Sequence, residues 1–208
     1  MADNDKLVWV DLEMTGLEVG RHVIVEIACL VTDGQLNPLD EGVSYVVAAT
    51  ADELAHMDDF VTDMHTKSGL LPEIADGIST ADAEQLILSY ITSHVSEARK
   101  APLAGSSVYV DRGFLAHFMP AIDAHLHYRV VDVSSIKELV RRWYPRVFFA
   151  SPQKVGNHRA LADIFDSIRE LAYYRGTVFV EEPGPDTRFA KSVALELSGD
   201  DNSESGDR

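Results

Sequence analysis

The chain has a single cysteine, Cys29, among its 208 residues. One cysteine excludes an intrachain disulfide and a zinc site built from cysteines. Long apolar runs are also missing. The N-terminus, Met-Ala-Asp-Asn-Asp-Lys, is acidic and leads into only a short apolar stretch, which fits neither a signal peptide nor a membrane span. We therefore expect a cytoplasmic protein that does not bind membranes.

Basic residues are scarce, with 18 Lys and Arg against 34 Asp and Glu and a net charge of −16. Proteins that bind a polyanion tightly along its length carry a broad basic surface, so the composition argues against that class. A nucleic-acid ligand would have to be short and held by a few local contacts. Acidity that serves only solubility is the alternative, and composition does not separate the two.

The length and the hydrophobic fraction of 46% predict one globular domain. We place this domain at residues 1–180. Residues 181–208 hold eight acidic and three basic residues, which predicts a disordered acidic tail.

Apolar periodicity and turn residues predict a mixed α/β sheet flanked by helices. The predicted strands cover residues 7–14, 23–33, 42–49, 103–110 and 130–133. The predicted helices cover residues 81–98, a segment from about 112 to a break before Pro120, 135–143 with Ser134 as its cap, and 158–175; residues 144–157 are predicted to form a loop.

Carboxylates inside or next to apolar segments are the main chemical signal. Asp11 and Glu13 lie in the run Leu-Val-Trp-Val-Asp-Leu-Glu, Asp111 follows Ser-Val-Tyr-Val, and Asp163 lies in the last predicted helix. A buried carboxylate is unfavourable by several kcal/mol unless something compensates it. Residues two apart on a strand share a face, about 7 Å apart, so Asp11 and Glu13 can share a metal ion. All-oxygen ligands favour Mg²⁺ or Mn²⁺, and paired metals promote phosphodiester hydrolysis.

His158 precedes Asp163 by five residues, which separates the two side chains by about 140° on a continuous helix. We therefore place His158 at or before the first helical turn, next to the carboxylates. Histidine gains and loses its proton near neutrality, which suits a general base that accepts a proton from an attacking water.

With these residues in place, the chain resembles the oligoribonucleases, in the histidine-bearing subclass of the DEDD exonuclease superfamily. The resemblance spans about residues 7–176. Its motifs are Trp-Val-Asp-Leu-Glu-Met-Thr-Gly-Leu at residues 9–17 and segments 64–70, 111–112, 127–129, 132–134, 137–139, 141–143, 158–163 and 170–175.

The resemblance implies a ribonuclease-H-like exonuclease fold and a homodimer that hydrolyses very short RNA, down to dinucleotides, from the 3′ end to 5′-mononucleotides. It implies two divalent cations bound by the four carboxylates, with His158 as base and Tyr128 reaching into the partner subunit's site. The implied substrate contacts are Leu17 as a wedge, Phe60 stacking on a base, His65 near the substrate, and Ser107, Arg129 and Ser134 on the 5′-phosphate.

The sequence departs from the family pattern at three positions. Ser106 stands where Asn is usual, Tyr109 where a small residue is usual, and Phe60 where Trp is common. A bulky Tyr109 two residues from Asp111 bears on the shape of the phosphate end. Two alternatives stay open: a broader exonuclease that acts on longer RNA or DNA ends, and a non-catalytic interaction module with the same fold.

Overall fold

The computed structural model of the chain describes residues 2–153 and 158–198. Five strands form one mixed sheet in the order β3-β2-β1-β4-β5. β1 pairs antiparallel with β2 and parallel with β4, while β2 pairs antiparallel with β3, and β4 pairs parallel with β5. The strands are Lys6–Met14 (β1), Ile24–Asp33 (β2), Val43–Val46 (β3), Pro102–Gly105 (β4) and His127–Asp132 (β5).

Helices cover both faces of the sheet, as the sequence predicts, and this confirms the α/β class. Two short 3-10 turns, Asp3–Asp5 and Leu71–Asp76, complete the described elements. The α-helices are Ala51–Leu54 (α1), Asp59–Lys67 (α2), Thr80–His94 (α3), Tyr109–Phe118 (α4), Pro120–His125 (α5), Val133–Trp143 (α6), Pro145–Phe149 (α7), Ala160–Thr177 (α8) and Thr187–Leu197 (α9).

The alternation of side chains along β1 determines which face of the sheet holds the carboxylates of Asp11 and Glu13. Val8, Val10 and Leu12 pack into the apolar core on the side of α3 and α4. Trp9 packs on the opposite side, in the core formed with α8. Because side chains alternate along a strand, Asp11 and Glu13 share the face of Trp9 and point toward α8. The sheet therefore presents both carboxylates to the last long helix.

The fourth predicted strand, residues 103–110, is wrong in its second half. β4 ends at Gly105, and α4 begins at Tyr109. The backbone N–H of Ser107 donates to the carboxylate of Asp132 instead of to a neighbouring strand, and Ser107 has a φ of 56°. This turn ends the ladder, although Val108 to Val110 has the composition of a strand.

Two further predictions are corrected at helix ends. Asp132, not Ser134, caps α6, because its side chain accepts a hydrogen bond from the backbone N–H of Ser134. A short helix, α7, occupies part of the loop predicted at 144–157, of which residues 154–157 lie outside the described residues.

The predicted disordered tail contains a helix, α9, over Thr187–Leu197. Asp186 caps it by accepting a hydrogen bond from the N–H of Phe189, and apolar side chains recur along it at helical spacing. The rest of the predicted tail, residues 199–208, lies outside the described residues. No helix within 2–153 and 158–198 has the length and apolar character that crossing a membrane requires.

Candidate active site

A cavity of about 360 Å³ opens between β1 and the N-terminus of α8. Asp11 and Glu13 reach it from β1, and Asp163 reaches it from the first turn of α8. His158 lies two residues before α8 begins, as predicted, with a φ of 57° and an exposed side chain. Ser106 and Ser167 complete the polar lining, with their hydroxyl oxygens 2.9 Å apart. Residues from the two ends of the chain thus meet in one pocket.

Potential metal-binding atoms are concentrated in this cavity. One ligand atom each from Glu13, His158 and Asp163 lies within 4.8 Å of the other two. Asp111, in the first turn of α4, does not line this cavity, but its Oδ1 accepts a 3.0 Å hydrogen bond from the N–H of Leu12. Since Leu12 lies between Asp11 and Glu13, the four carboxylates predicted from the sequence surround one stretch of β1. The Glu, His and Asp group could hold a metal ion.

The electrostatics of these acids also favour a cation. Burial, followed by the nearby carboxylates of Asp163, Glu26 and Asp111, raises the pKa of Glu13 to about 8. Burial raises the pKa of Asp111 to about 7 despite its hydrogen bond from Leu12. Each shift means that the charged form is disfavoured where it stands. A bound divalent cation would reverse that preference.

His65 occupies a position behind Glu13. It is fully buried, its Nε2 lies 2.9 Å from the carbonyl oxygen of Met14, and its Nδ1 lies 3.8 Å from Oε2 of Glu13. This geometry assigns the proton to Nε2, which donates to Met14. Burial lowers the pKa of His65 and so favours the neutral imidazole. The resemblance predicts His65 near the substrate, and the structure places it beside Glu13.

A second cavity, of about 610 Å³, adjoins the first through Leu12 and Glu13. Leu17 and Phe60 line it and are 73% and 74% exposed. Neither is therefore a core residue. Two exposed apolar side chains beside a carboxylate-lined pocket form a surface on which a flat apolar group can stack.

A third cavity, of about 550 Å³, contains Ser107 and Ser134. The hydroxyl of Ser107 donates to that of Ser134 over 3.0 Å, and Asp132 accepts hydrogen bonds from both backbone N–H groups. Tyr109 also lines this cavity. Asp132 therefore holds together the two serines that the resemblance assigns to a phosphate.

Four predicted residues line none of these three cavities: Asp111 and His65, which are hydrogen-bonded to β1, and Tyr128 and Arg129, which lie on β5. Tyr128 is exposed on β5, and the guanidinium carbon of Arg129 lies 5.3 Å from the centre of its ring. Neither residue lines any of the three cavities of the described chain.

Known proteins resemble the chain over most of its length. The family model described as Exonuclease, RNase_T, matches residues 8–171. An oligoribonuclease of Streptomyces griseus is 56% identical over 94% of this chain and 97% of its own. Those of Rhodococcus jostii and Corynebacterium efficiens are 57% and 60% identical over 93% and 88% of this chain, and 98% and 84% of their own. The chain belongs to the oligoribonuclease family.

Solved structures agree on the fold. An exonuclease I from Methylocaldum szegediense superimposes with a TM-score of 0.63 at 20% identity, covering 83% of this chain and 41% of that one. E. coli exonuclease I in a complex with single-stranded DNA gives 0.63 at 14% identity, covering 84% and 40%. This chain spans about two-fifths of those proteins. The fold is that of a ribonuclease-H-like exonuclease, and this oligoribonuclease-family chain is a 3′→5′ exoribonuclease, a hydrolase of phosphodiester bonds.

Sequence reasoning missed two residues beside the site of this oligoribonuclease-family chain. Glu26 is buried on β2 directly opposite Glu13, and Arg159 follows His158 and binds Glu26. The signal for Glu26 was present, because it stands in the apolar run Val-Ile-Val-Glu-Ile-Ala and is open to the same argument as Asp11 and Glu13.

Proposed function

We propose that the chain degrades very short RNA, preferentially dinucleotides, to 5′-mononucleotides with the aid of two divalent cations, Mg²⁺ or Mn²⁺. One observation carries the proposal: Asp11, Glu13, Asp163 and His158 line a single cavity that adjoins an exposed apolar surface. The names of the relatives support the RNA substrate.

The residues present fit divalent cations. Carboxylate oxygens are hard ligands, and the raised pKa values of Glu13 and Asp111 show negative charge that the protein compensates poorly. Asp11, Glu13, Asp111 and Asp163 would be the ligands. Bound divalent cations would acidify the attacking water and stabilise charge on the leaving 3′-oxygen.

The chain supplies the remaining chemistry. His158 is exposed, lies outside the helix and borders the carboxylates, so its imidazole nitrogen accepts the proton of the attacking water and releases it to solvent. Leu17 wedges against the bases and Phe60 stacks on one of them, and stacking favours no base strongly. His65 lies behind Glu13, with its Nδ1 3.8 Å from Oε2 of Glu13, and its place near the substrate stays part of the proposal.

The preference for short RNA would come from the third cavity. Ser107 and Ser134 offer hydroxyl donors, and Arg129 would add a forked cation for the 5′-phosphate. A pocket that closed around that phosphate would exclude a longer chain, and this would reconcile a net charge of −16 with an RNA substrate. The assignment of Arg129 is supported by the family resemblance and by its position on β5, the strand that ends at Asp132.

A homodimer is also part of the proposal. β5 is an edge strand, and large apolar side chains are exposed along it and along α6 and α7, the helices that follow. Such a set of exposed apolar groups is typical of an interaction surface. Tyr128 would complete the partner subunit's site. The exposed apolar residues are Tyr128, Val130, Leu139, Trp143, Tyr144 and Phe149.

The test is a turnover assay on labelled RNAs from dinucleotide to heptanucleotide, with Mn²⁺ and with EDTA. We expect turnover only with metal and the highest kcat/KM on the dinucleotide. In Arg129→Ala the ratio of dinucleotide to heptanucleotide kcat/KM should fall about tenfold or more, because a charge-assisted contact is lost. Arg188→Ala, on α9, is the control. Equal rates at all lengths would favour the broader exonuclease, and no turnover on any of these lengths would refute very short RNA as the substrate.

A further inference from the structure

Glu26 is a buried carboxylate at the edge of the active site. It stands on β2, its register partner on β1 is Glu13, and only 2% of it is exposed. Residues directly opposite on antiparallel strands share a face, so Glu26 also points toward α8. A carboxylate in this place requires donors.

The start of α8 supplies those donors. Nε and Nη2 of Arg159 lie 3.1 and 3.0 Å from Oε1 of Glu26, and the backbone N–H of Ala160 donates to Oε2 over 3.1 Å. The hydroxyl of Ser44 on β3 donates to Oε1 over 3.1 Å. Glu26 therefore joins three elements: β2, β3 and α8.

Arg159 is held on a second side. Its Nη2 also lies 2.9 Å from Oε2 of Glu73, so one guanidinium links two carboxylates. The Arg159 side chain is 28% exposed, less than any other arginine in the described ion pairs except Arg112. A planar guanidinium group that is hydrogen-bonded along two of its edges has little freedom to rotate.

This arrangement fixes the start of α8. Arg159 occupies the cap position of the helix but makes no side-chain cap there, and Glu26 instead caps the helix from the sheet through the N–H of Ala160. The N–H of Asp163 donates to the carbonyl of Arg159 over 3.1 Å. His158 is bonded directly to Arg159 and has a left-handed backbone conformation. The side chains of His158 and Asp163 are thus attached to one turn that Glu26 fastens to the sheet.

We propose that Glu26 and Arg159 are positioning residues, which set the distance of His158 and Asp163 from Glu13 without touching the substrate. The inference rests on the proposed function insofar as His158 is the base. A displacement of about 1 Å in a reacting group can lower a rate by about 10²-fold. The pair therefore controls kcat more than substrate affinity.

The experiment compares Arg159→Ala with Arg175→Ala. Arg175 belongs to the same helix and also pairs with a carboxylate, Glu182, but lies about 24 Å along the axis from Arg159. We expect Arg159→Ala to lower kcat on a dinucleotide by about 10- to 100-fold with KM changed less than about threefold. Mn²⁺ affinity, measured by electron paramagnetic resonance, should fall, and amide hydrogen exchange should accelerate in the first turn of α8. Arg175→Ala should change none of these.

Two further variants keep the inference testable. Arg159→Lys keeps the charge without the fork, so kcat should lie between those of Arg159→Ala and the unsubstituted enzyme. The double variant Glu26→Gln, Arg159→Gln leaves no unpaired buried charge, since Glu73, the other partner of Arg159, is half exposed. It should fold even where Arg159→Ala does not, and it should still show a reduced kcat. A kcat per folded molecule equal to that of the unsubstituted enzyme, with unchanged Mn²⁺ affinity, would overturn the inference.

His158→Ala separates this inference from the proposed function. A normal kcat in His158→Ala refutes His158 as base, and the positioning of Asp163 is then decided by the Mn²⁺ affinity of Arg159→Ala. A strongly reduced kcat in His158→Ala together with a normal kcat in both Arg159 variants refutes the positioning role alone.

Discussion

Glu13 and Glu26 are register partners on neighbouring strands, both are buried, and their surroundings are opposite. Glu26 receives hydrogen bonds from an arginine, a helix N-terminus and a serine. Glu13 is surrounded by carboxylates, which together with burial raise its pKa to about 8. The comparison teaches that the protein neutralises one acid with its own donors and leaves the other to be neutralised by a proton or a cation from solution.

The two acids, each taken with its charged neighbour, have different roles. A buried pair such as Glu26 and Arg159 is compensated in the folded chain, so it fixes geometry. Clustered acids such as Glu13 and Asp163 store unfavourable energy that binding can release, and such perturbed groups concentrate at functional sites. The difference between Glu13 and Glu26 can be tested by removing the charge of each acid in turn.

Removing the charge of Glu13 should give the largest effect. We expect Glu13→Gln to lower kcat on a dinucleotide by about 10³-fold, because a lost metal ligand removes several kcal/mol of transition-state stabilisation. Steady-state kinetics in Mn²⁺ measures this. Glu84→Gln is the control, since Glu84 accepts a hydrogen bond from the N–H of Ala121 and lies on α3, across the sheet. A loss smaller than tenfold in Glu13→Gln would contradict the assigned role.

Removing the side chain of Glu26 should mainly lower stability. Glu26→Ala leaves the N–H of Ala160 without its acceptor and Arg159 with Glu73 alone, so we expect the free energy of unfolding to fall by about 3 kcal/mol. Urea unfolding in EDTA measures the change. Glu13→Gln should be as stable as the unsubstituted protein or more so, and a comparable loss in both variants would abolish the contrast between the two acids.

The two acids also show how far sequence reasoning reaches. The order Asp11, Glu13, Asp111, His158, Asp163 predicts one site, and all of these residues except Asp111 line a single cavity. The alternation of side chains along β1 puts Asp11 and Glu13 on a common face. Glu26 stands in an equally apolar run, but its role depends on Arg159, which is 133 residues away. Such pairings are set by tertiary contact, which local patterns do not encode.

The fold shows the same difference between features that local sequence patterns predict and features that tertiary contacts decide. The predicted β1, β2 and α8 match the structure within about two residues, because their apolar periodicity is long. The residues after Gly105 were predicted as strand from composition, whereas the Asp132 carboxylate draws the N–H of Ser107 out of the ladder. The domain boundary at 180 stays a prediction, and α9 lies beyond it.

The pH dependence of the metal-free protein gives the smallest and most selective test. The pKa of Glu13 rises from 4.5 to about 8 on folding, so the folded state holds a proton that the unfolded state has lost between these values. Stability linked to Glu13 is therefore complete below about pH 4.5 and is lost as the pH rises toward 8.

The variant Glu13→Gln has no carboxyl group at this position, so its stability does not fall in this way as the pH rises. We expect its melting temperature in EDTA, relative to the unsubstituted protein, to rise by about 5 °C between pH 6 and pH 8. Saturating Mn²⁺ should reverse the difference, because metal binding stabilises the unsubstituted protein more. A difference that stays constant with pH would show that the surroundings of Glu13 are no more unfavourable to its charge than those of an ordinary surface acid.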